Sequence, residues 1–280
     1  MGPVYRLTVR QLSGRWRLLI TIVLVALPVI MAVVDTLVDD EEIERRFEDD
    51  SNRRGVVVEG EAPPEGDLGA LFGFEESAPV DPEQEAIEEL EDGLINGMLI
   101  AAILPLVVLA IASAAFGNEV EDRTLANLTL APVPRWKIVV PKLLGAISVA
   151  GPFIAASTFA TAYIAFEGDW TATIAITVGA VVGVALYSSV FTWAGLMTTR
   201  AIGFGLLYVF LWEGLFAGLV TGVRFLSIRH YSIALMHGMD DRRFAASENL
   251  SFEVAIGASV AVFAIFLLLS VRRLRRMDVP

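Results

Sequence analysis

The sequence predicts an all-α membrane protein with six transmembrane helices, and three observations predict it. Mean hydropathy is +0.62 and 55% of the 280 residues are hydrophobic, too apolar for an ordinary soluble domain. Six stretches are long enough to cross a bilayer, and the basic side chains gather on one side of that layout.

A helix crossing a hydrocarbon core about 30 Å thick needs about 20 mostly apolar residues, because each residue rises about 1.5 Å. The qualifying stretches are Leu18 to Val34, Leu94 to Phe116, Leu143 to Phe166, Thr171 to Met197, Ala201 to Val223 and Val254 to Val271. The first and last are short, so their flanking arginines are expected at the interface with extended stems. Arg15 and Arg17 ahead of the first stretch give it a signal-peptide look, but no small-x-small cleavage site follows before Asp35. It is therefore expected to be a retained span.

Short cytoplasmic loops keep Lys and Arg. Arg6, Arg10, Arg15 and Arg17 precede the first span, and Arg123, Arg135, Lys137 and Lys142 lie between or beside the second and third. Arg200 separates the fourth and fifth, and Arg272, Arg273, Arg275 and Arg276 follow the sixth. Both termini are thus expected in the cytoplasm, as an even number of spans requires.

The segment 35–92 is expected to be an exterior loop. It holds 22 acidic residues against Arg45, Arg46, Arg53 and Arg54, and without it the net charge of −12 becomes +6. The acidity belongs to one loop; the membrane body is mildly basic. The loop reads either as a cation-attracting vestibule or as a plain solvated surface. Pro63, Pro64, Pro79 and Pro82 are expected to break it into short pieces. Asp81 to Gln84 reads as a helix start, with Asp81 as N-cap and Pro82 in the first turn, and Ile87, Leu90 and Leu94 on one face extend the second span outward. No separate soluble domain is indicated, so 1–280 reads as one transmembrane domain.

Several chemistries are excluded by motif. With no cysteine, there is no disulfide, thiolate metal site or cysteine nucleophile. No G-x-x-x-x-G-K-[ST] loop is present to cradle a nucleotide, and there is no H-E-x-x-H or G-x-S-x-G.

The most informative segment is 117–137, between the second and third spans. Glu119, Glu121 and Asp122 are read as the N-terminus of a helix of about three turns, where the dipole favours negative charge. Glu119 and Arg123 are spaced as an i, i+4 pair, and Pro132 and Pro134 stop the helix. Leu125 and Leu128 share one face, leaving an apolar patch that wants lipid headgroups or another protein.

These residues resemble the ABC-2 type transporter permeases, whose first cytoplasmic loop reads G-x-E-x-E-x-x-T-L-x-x-L-x-x-x-P-V-x-R, often with a lysine shortly after. Gly117, Glu119, Glu121, Thr124, Leu125, Leu128, Pro132, Val133, Arg135 and Lys142 stand at those spacings. Arg123 stands where many relatives carry glycine. The resemblance implies that the loop is a coupling helix seated in a separate ABC ATPase (nucleotide-binding) subunit, with Glu119, Glu121, Arg123, Thr124, Leu125, Leu128 and Arg135 as contacts. It also implies that ATP and Mg belong to that partner, with no catalytic site, cofactor or metal in this chain. A second permease copy or a paralogue is expected beside it in the cell membrane, with lipid around it and no nucleic acid.

The N-terminal segment 1–17 has Arg6 and Arg10 one turn apart and Tyr5, Val9 and Leu12 on a neighbouring face, the pattern of an interfacial helix. It reads equally as a positive-inside anchor or, by resemblance, as a helix flanking the ATPase. Gly179 and Gly183 in span four, and Gly214, Gly218 and Gly222 in span five, sit at the four-residue spacing that lets helices approach closely in lipid. They serve either a dimer cleft or packing within one subunit. Glu213 is the acid well inside a span, where a charge costs on the order of 2.5 to 3.5 kcal/mol. It lies on a transport pathway or joins helices as a neutral acid.

Segment 224–252 is too apolar for a free loop and too short to cross twice, and resembles the exterior re-entrant segment before the last span of ABC-2 permeases. Its His230 and His237 are seven apart, which fits interfacial packing better than a metal site. The expected function is the permease of an ATP-driven exporter working by alternating access. The competing readings are an ion-coupled secondary transporter using Glu213 and a membrane scaffold that transports nothing.

Overall fold

The computed structural model describes residues 2–53, 91–121, 133–198, 200–211, 227–240 and 250–277, with backbone alone over 38–53 and 91–92. Each regular element among the described residues is helical. Five helices are long and apolar enough to cross a membrane: Arg15–Leu37, Gly93–Glu121, Trp136–Ala165, Trp170–Met197 and Phe252–Arg276. They correspond to the first four and the sixth of the expected spans. The fifth is helical over Ala201–Leu211, and its remainder, with Glu213, Gly214, Gly218 and Gly222, lies outside the described residues, as do 54–90 of the acidic loop.

Helix α1 is Gly2–Leu12. It stops at Ser13, whose hydroxyl and N–H both turn back to the Val9 carbonyl, so a helix separate from the first span begins the chain. After Gly14, α2 runs from Arg15 to Arg53. Helix thus occupies 35–53 of the segment expected as an exterior loop, ahead of its prolines at 63, 64, 79 and 82. The stretch 35–53 holds neither glycine nor proline, and its Glu41–Arg45, Glu42–Arg46 and Asp49–Arg53 spacings are the i, i+4 pairs that support a helix.

The second span is built in pieces. A π-helix, Glu91–Ile103, gives way to α3, Leu104–Ala112, at Pro105, which has no N–H to offer. Ser113, itself at helical φ −60 and ψ −33, passes the backbone ladder from α3 to α4, Ala114–Glu121. Helices α5, Trp136–Ala165, and α6, Trp170–Met197, follow as an antiparallel pair. Their tight connection puts Gly168 at φ +84, with its N–H on the Tyr163 carbonyl, and Asp169 caps α6 by accepting from the Thr171 N–H at 2.8 Å. The chain continues through α7, Ala201–Leu207, α8, Ile228–His237, and α9, Phe252–Arg276.

Burial ranks the spans. In the most apolar window of the second span 78% of residues are buried, against 61% in α5 and α6 and 17% in α2 and α9, so the last two form the rim. Helix α2 is held to α5 by the Ser157 hydroxyl, which donates to the Val25 carbonyl at 2.6 Å, one turn before Pro28. In hydrocarbon such a bond ties two helices that dispersion alone would leave loosely joined.

The two ends of the bundle are distinct. At one end Phe116, Ile138, Val139, Leu196 and Leu274 form a single cluster, joining the close of the second span, the start of α5 and the ends of α6 and α9. At the other, Ile95, Leu99, Ile100, Phe166, Ala172, Ala175, Ile176 and Met236 pack together. Exposed Trp16 and Trp136 flank the first end, and exposed Trp170 marks the second, as interfacial anchors do. The basic segments therefore converge on the first end, together with the start of α2 and the end of α9.

Gly179 and Gly183 have a partner inside this chain. A Cβ at Gly179 would lie 2.7 Å from the Ser232 carbonyl, and one at Gly183 would lie 2.7 Å from the Ser232 hydroxyl. The notch thus seats the backbone of α8 against α6, nine to thirteen residues in from Trp170, a depth of about 14 to 20 Å at the helical rise.

Gly179→Leu is expected to lower stability by about 1–3 kcal/mol, because the Ser232 backbone has nowhere to withdraw. Gly151, with no atom within 4 Å of a built Cβ, supplies the comparison. Thermal unfolding in detergent checks it: Gly151→Leu unfolds with the wild type, and equal losses for the two variants contradict the close fit.

Candidate functional site

The segment singled out by its motif begins at the basic end of the bundle. Gly117 to Glu121 belong to α4, and Val133, Pro134 and Arg135 lead into α5. Arg123, Thr124, Leu125, Leu128 and the helix expected around them lie outside the described residues. The assignment of Glu119 and Glu121 to a helix N-terminus is corrected: they lie within helix that continues from the second span. Helical periodicity continues from the second span past Phe116, with neither proline nor glycine pairs to interrupt it before Glu121.

A buried carboxylate needs a cation, and Lys142 supplies it. Lys142 stands seven residues into α5, is 1% exposed, and places Nζ 2.5 Å from Oε1 of Glu119, itself 7% exposed. The same amine donates to the Ala115 carbonyl and lies 4.5 Å from the centre of the Phe116 ring. One side chain therefore holds α4 at two points a turn apart. Two further contacts crowd this place. The Arg17 guanidinium donates to Oδ1 of Asn118 at 3.2 Å, tying in α2. On α5 one turn beyond Lys142, Gly145 leaves room for Thr8 of α1, whose Cγ2 would be 2.8 Å from a Cβ there.

Glu121 faces solvent, and so do Val133, Pro134, Trp136 and Lys137, with the Lys137 amine 5.7 Å from the Trp136 ring centre. The stems of the loop thus present charged and apolar side chains together, while Glu119 is turned inward. Arg135 is half-buried at the N-cap of α5. Elsewhere, His230 Nδ1 lies 2.9 Å from the Ser227 hydroxyl, the N-cap of α8. No group of three or more His, Asp or Glu is arranged to hold a metal ion among the described residues.

A family model described as ABC-2 family transporter protein matches residues 4–279. The chain belongs to that family. No curated protein matches it. As an ABC-2 family transporter it is a multi-pass membrane permease of an ABC-type transporter, a transport component that is not itself catalytic.

In this ABC-2 permease the residue that reading the sequence missed is Lys142 as the partner of Glu119. The signal was present, since Lys142 is one of only two lysines and adjoins an apolar run where a free amine is unwelcome. What the sequence lacked was the antiparallel packing that brings α4 and α5 together.

Removing one member of a buried pair strands the other. Glu119→Ala is expected to lose about 3–5 kcal/mol, by leaving the Lys142 amine without its carboxylate. Glu121→Ala, at an exposed site, stays within about 0.5 kcal/mol of wild type. Denaturation of the detergent-solubilised variants checks this, and an unaffected Glu119→Ala protein contradicts the pairing.

Proposed function

We propose that this chain is the permease of an ATP-driven exporter, in which segment 117–137 receives the motion of a separate ABC ATPase subunit and passes it to the spans. The observation that carries the reading is the match of Gly117, Glu119, Glu121, Thr124, Leu125, Leu128, Pro132, Val133 and Arg135 to the ABC-2 loop pattern, with its stems at the basic end of the bundle. Positive segments remain in the cytoplasm, so that end and both termini face the ATPase, at the cell membrane. ATP and Mg are bound by the partner.

In this reading Glu121, Arg123, Thr124, Leu125, Leu128 and Arg135 form the docking surface, and Glu119 braces it from beneath. A second copy or paralogue completes the pathway, which opens alternately to the two sides. Helix α8, lodged against the Gly179–Gly183 notch, is the exterior re-entrant piece. Its depth beside α6 and the contact of Gly238 with Phe252, at the start of α9, support that assignment.

The test is co-purification with the ATPase encoded in an adjacent reading frame. Glu121→Lys and Leu125→Asp are each expected to reduce ATPase association at least tenfold and to abolish permease-dependent ATP hydrolysis. Association and transport at wild-type levels in both variants would overturn the proposal.

A further inference from the structure

Helix α4 continues the second span toward the loop: Ser113 keeps helical dihedrals of φ −60 and ψ −33, its N–H bonds to the Leu109 carbonyl and its own carbonyl accepts from the Gly117 N–H. Gly195 of α6 lies close under that carbonyl, where no side chain would fit. Beyond it stands Glu119, which Lys142 of α5 holds.

We propose that the buried Lys142–Glu119 pair is a mechanical tie, locking the two stems of the 117–137 loop into one body so that force on the loop moves α5 and the helices packed on it. This rests on the loop being the ATPase contact. Lys142 is then a positioning residue, acting through α4 on a partner it does not touch.

Three features separate this tie from ordinary packing. The Lys142 amine meets both the Glu119 carboxylate and the Ala115 carbonyl, so it resists rotation of α4 as well as its separation from α5. The Phe116 ring beneath the amine and the surrounding cluster of Ile138, Val139, Leu196 and Leu274 exclude water, which keeps the attraction from being screened. And the tie stands where α1 and α2 also converge, through Thr8 on Gly145 and Arg17 on Asn118. Motion of α4 is thereby shared among α1, α2 and α5, the first two of which lead to the rim of the bundle.

Replacing both members of a buried pair by apolar side chains is often neutral for folding, so the role in transmission can be separated from the role in stability. The chain has no cysteine, so two introduced cysteines carry spin labels without background. Leu37 and Trp170, 60% and 59% exposed, lie on α2 and α6 at the end of the bundle away from the loop. The experiment measures the Leu37→Cys to Trp170→Cys distance by electron–electron resonance, with and without ATP, in the full permease–ATPase complex.

The unaltered pair is expected to give an ATP-dependent shift of several ångströms. The Glu119→Leu/Lys142→Met double variant is expected to keep its thermal transition and to co-purify with the ATPase, yet to lose that shift and at least tenfold of the permease-dependent ATP hydrolysis. Lys142→Arg, which still donates to carboxylate and carbonyl, restores both. A wild-type shift in the double variant overturns the tie. Failure of the wild-type permease to bind the ATPase, or to shift at all, overturns the exporter reading and the tie with it.

Discussion

Hydrocarbon offers no partner to a peptide N–H or C=O, and the architecture follows from that constraint. Each described element is a helix because helices satisfy their own backbone. Where a proline removes a backbone donor, at Pro28 or Pro105, the gap is buried in protein. The Ser113 hydroxyl donates to the Leu109 carbonyl, and the Ser157 hydroxyl reaches across to Val25. Apolar side chains gain nothing from leaving lipid for one another, so close approach has to come from missing side chains and from polar bonds. The glycine notch of α6 is the first device, and the Lys142–Glu119 pair is the second.

These devices are unevenly placed. The glycine notch lies in the half of α6 nearer Trp170, where α8 fills it, and the ion pair lies at the opposite end, beside the loop stems. Between them runs the buried second span, which passes from π-helix to α-helix at Pro105 and continues through Ser113 to Glu121. The bundle is thus held by close or polar contacts at both of its ends.

Hydropathy made five of the spans legible to within several residues at each end, because lipid selects for length and apolarity with little regard to neighbours. The same indifference hid the packing. A helix apolar all round has no face to read, so nothing in the sequence said that Gly179 and Gly183 receive α8. The helical stretch 35–53 was missed because its acidic composition outweighed its i, i+4 pairs in the reading. Glu119 and Glu121 read as a new helix start because carboxylates suit an N-terminus, whereas they continue the helix of the second span, and Glu119 is buried there against the distant Lys142. Long-range pairing of this kind, 23 residues apart in sequence, follows from the fold and not from local pattern.

The central claim is that the loop between the second and third spans faces the cytoplasm and is covered there by another protein. Val133, exposed on its second stem, offers a direct probe in a cysteine-free chain. A Val133→Cys permease is expected to resist a membrane-impermeant maleimide in intact cells, to react in inverted vesicles stripped of ATPase, and to be shielded when the ATPase is restored. Reaction from outside intact cells, or equal reaction with and without the ATPase, would contradict the account.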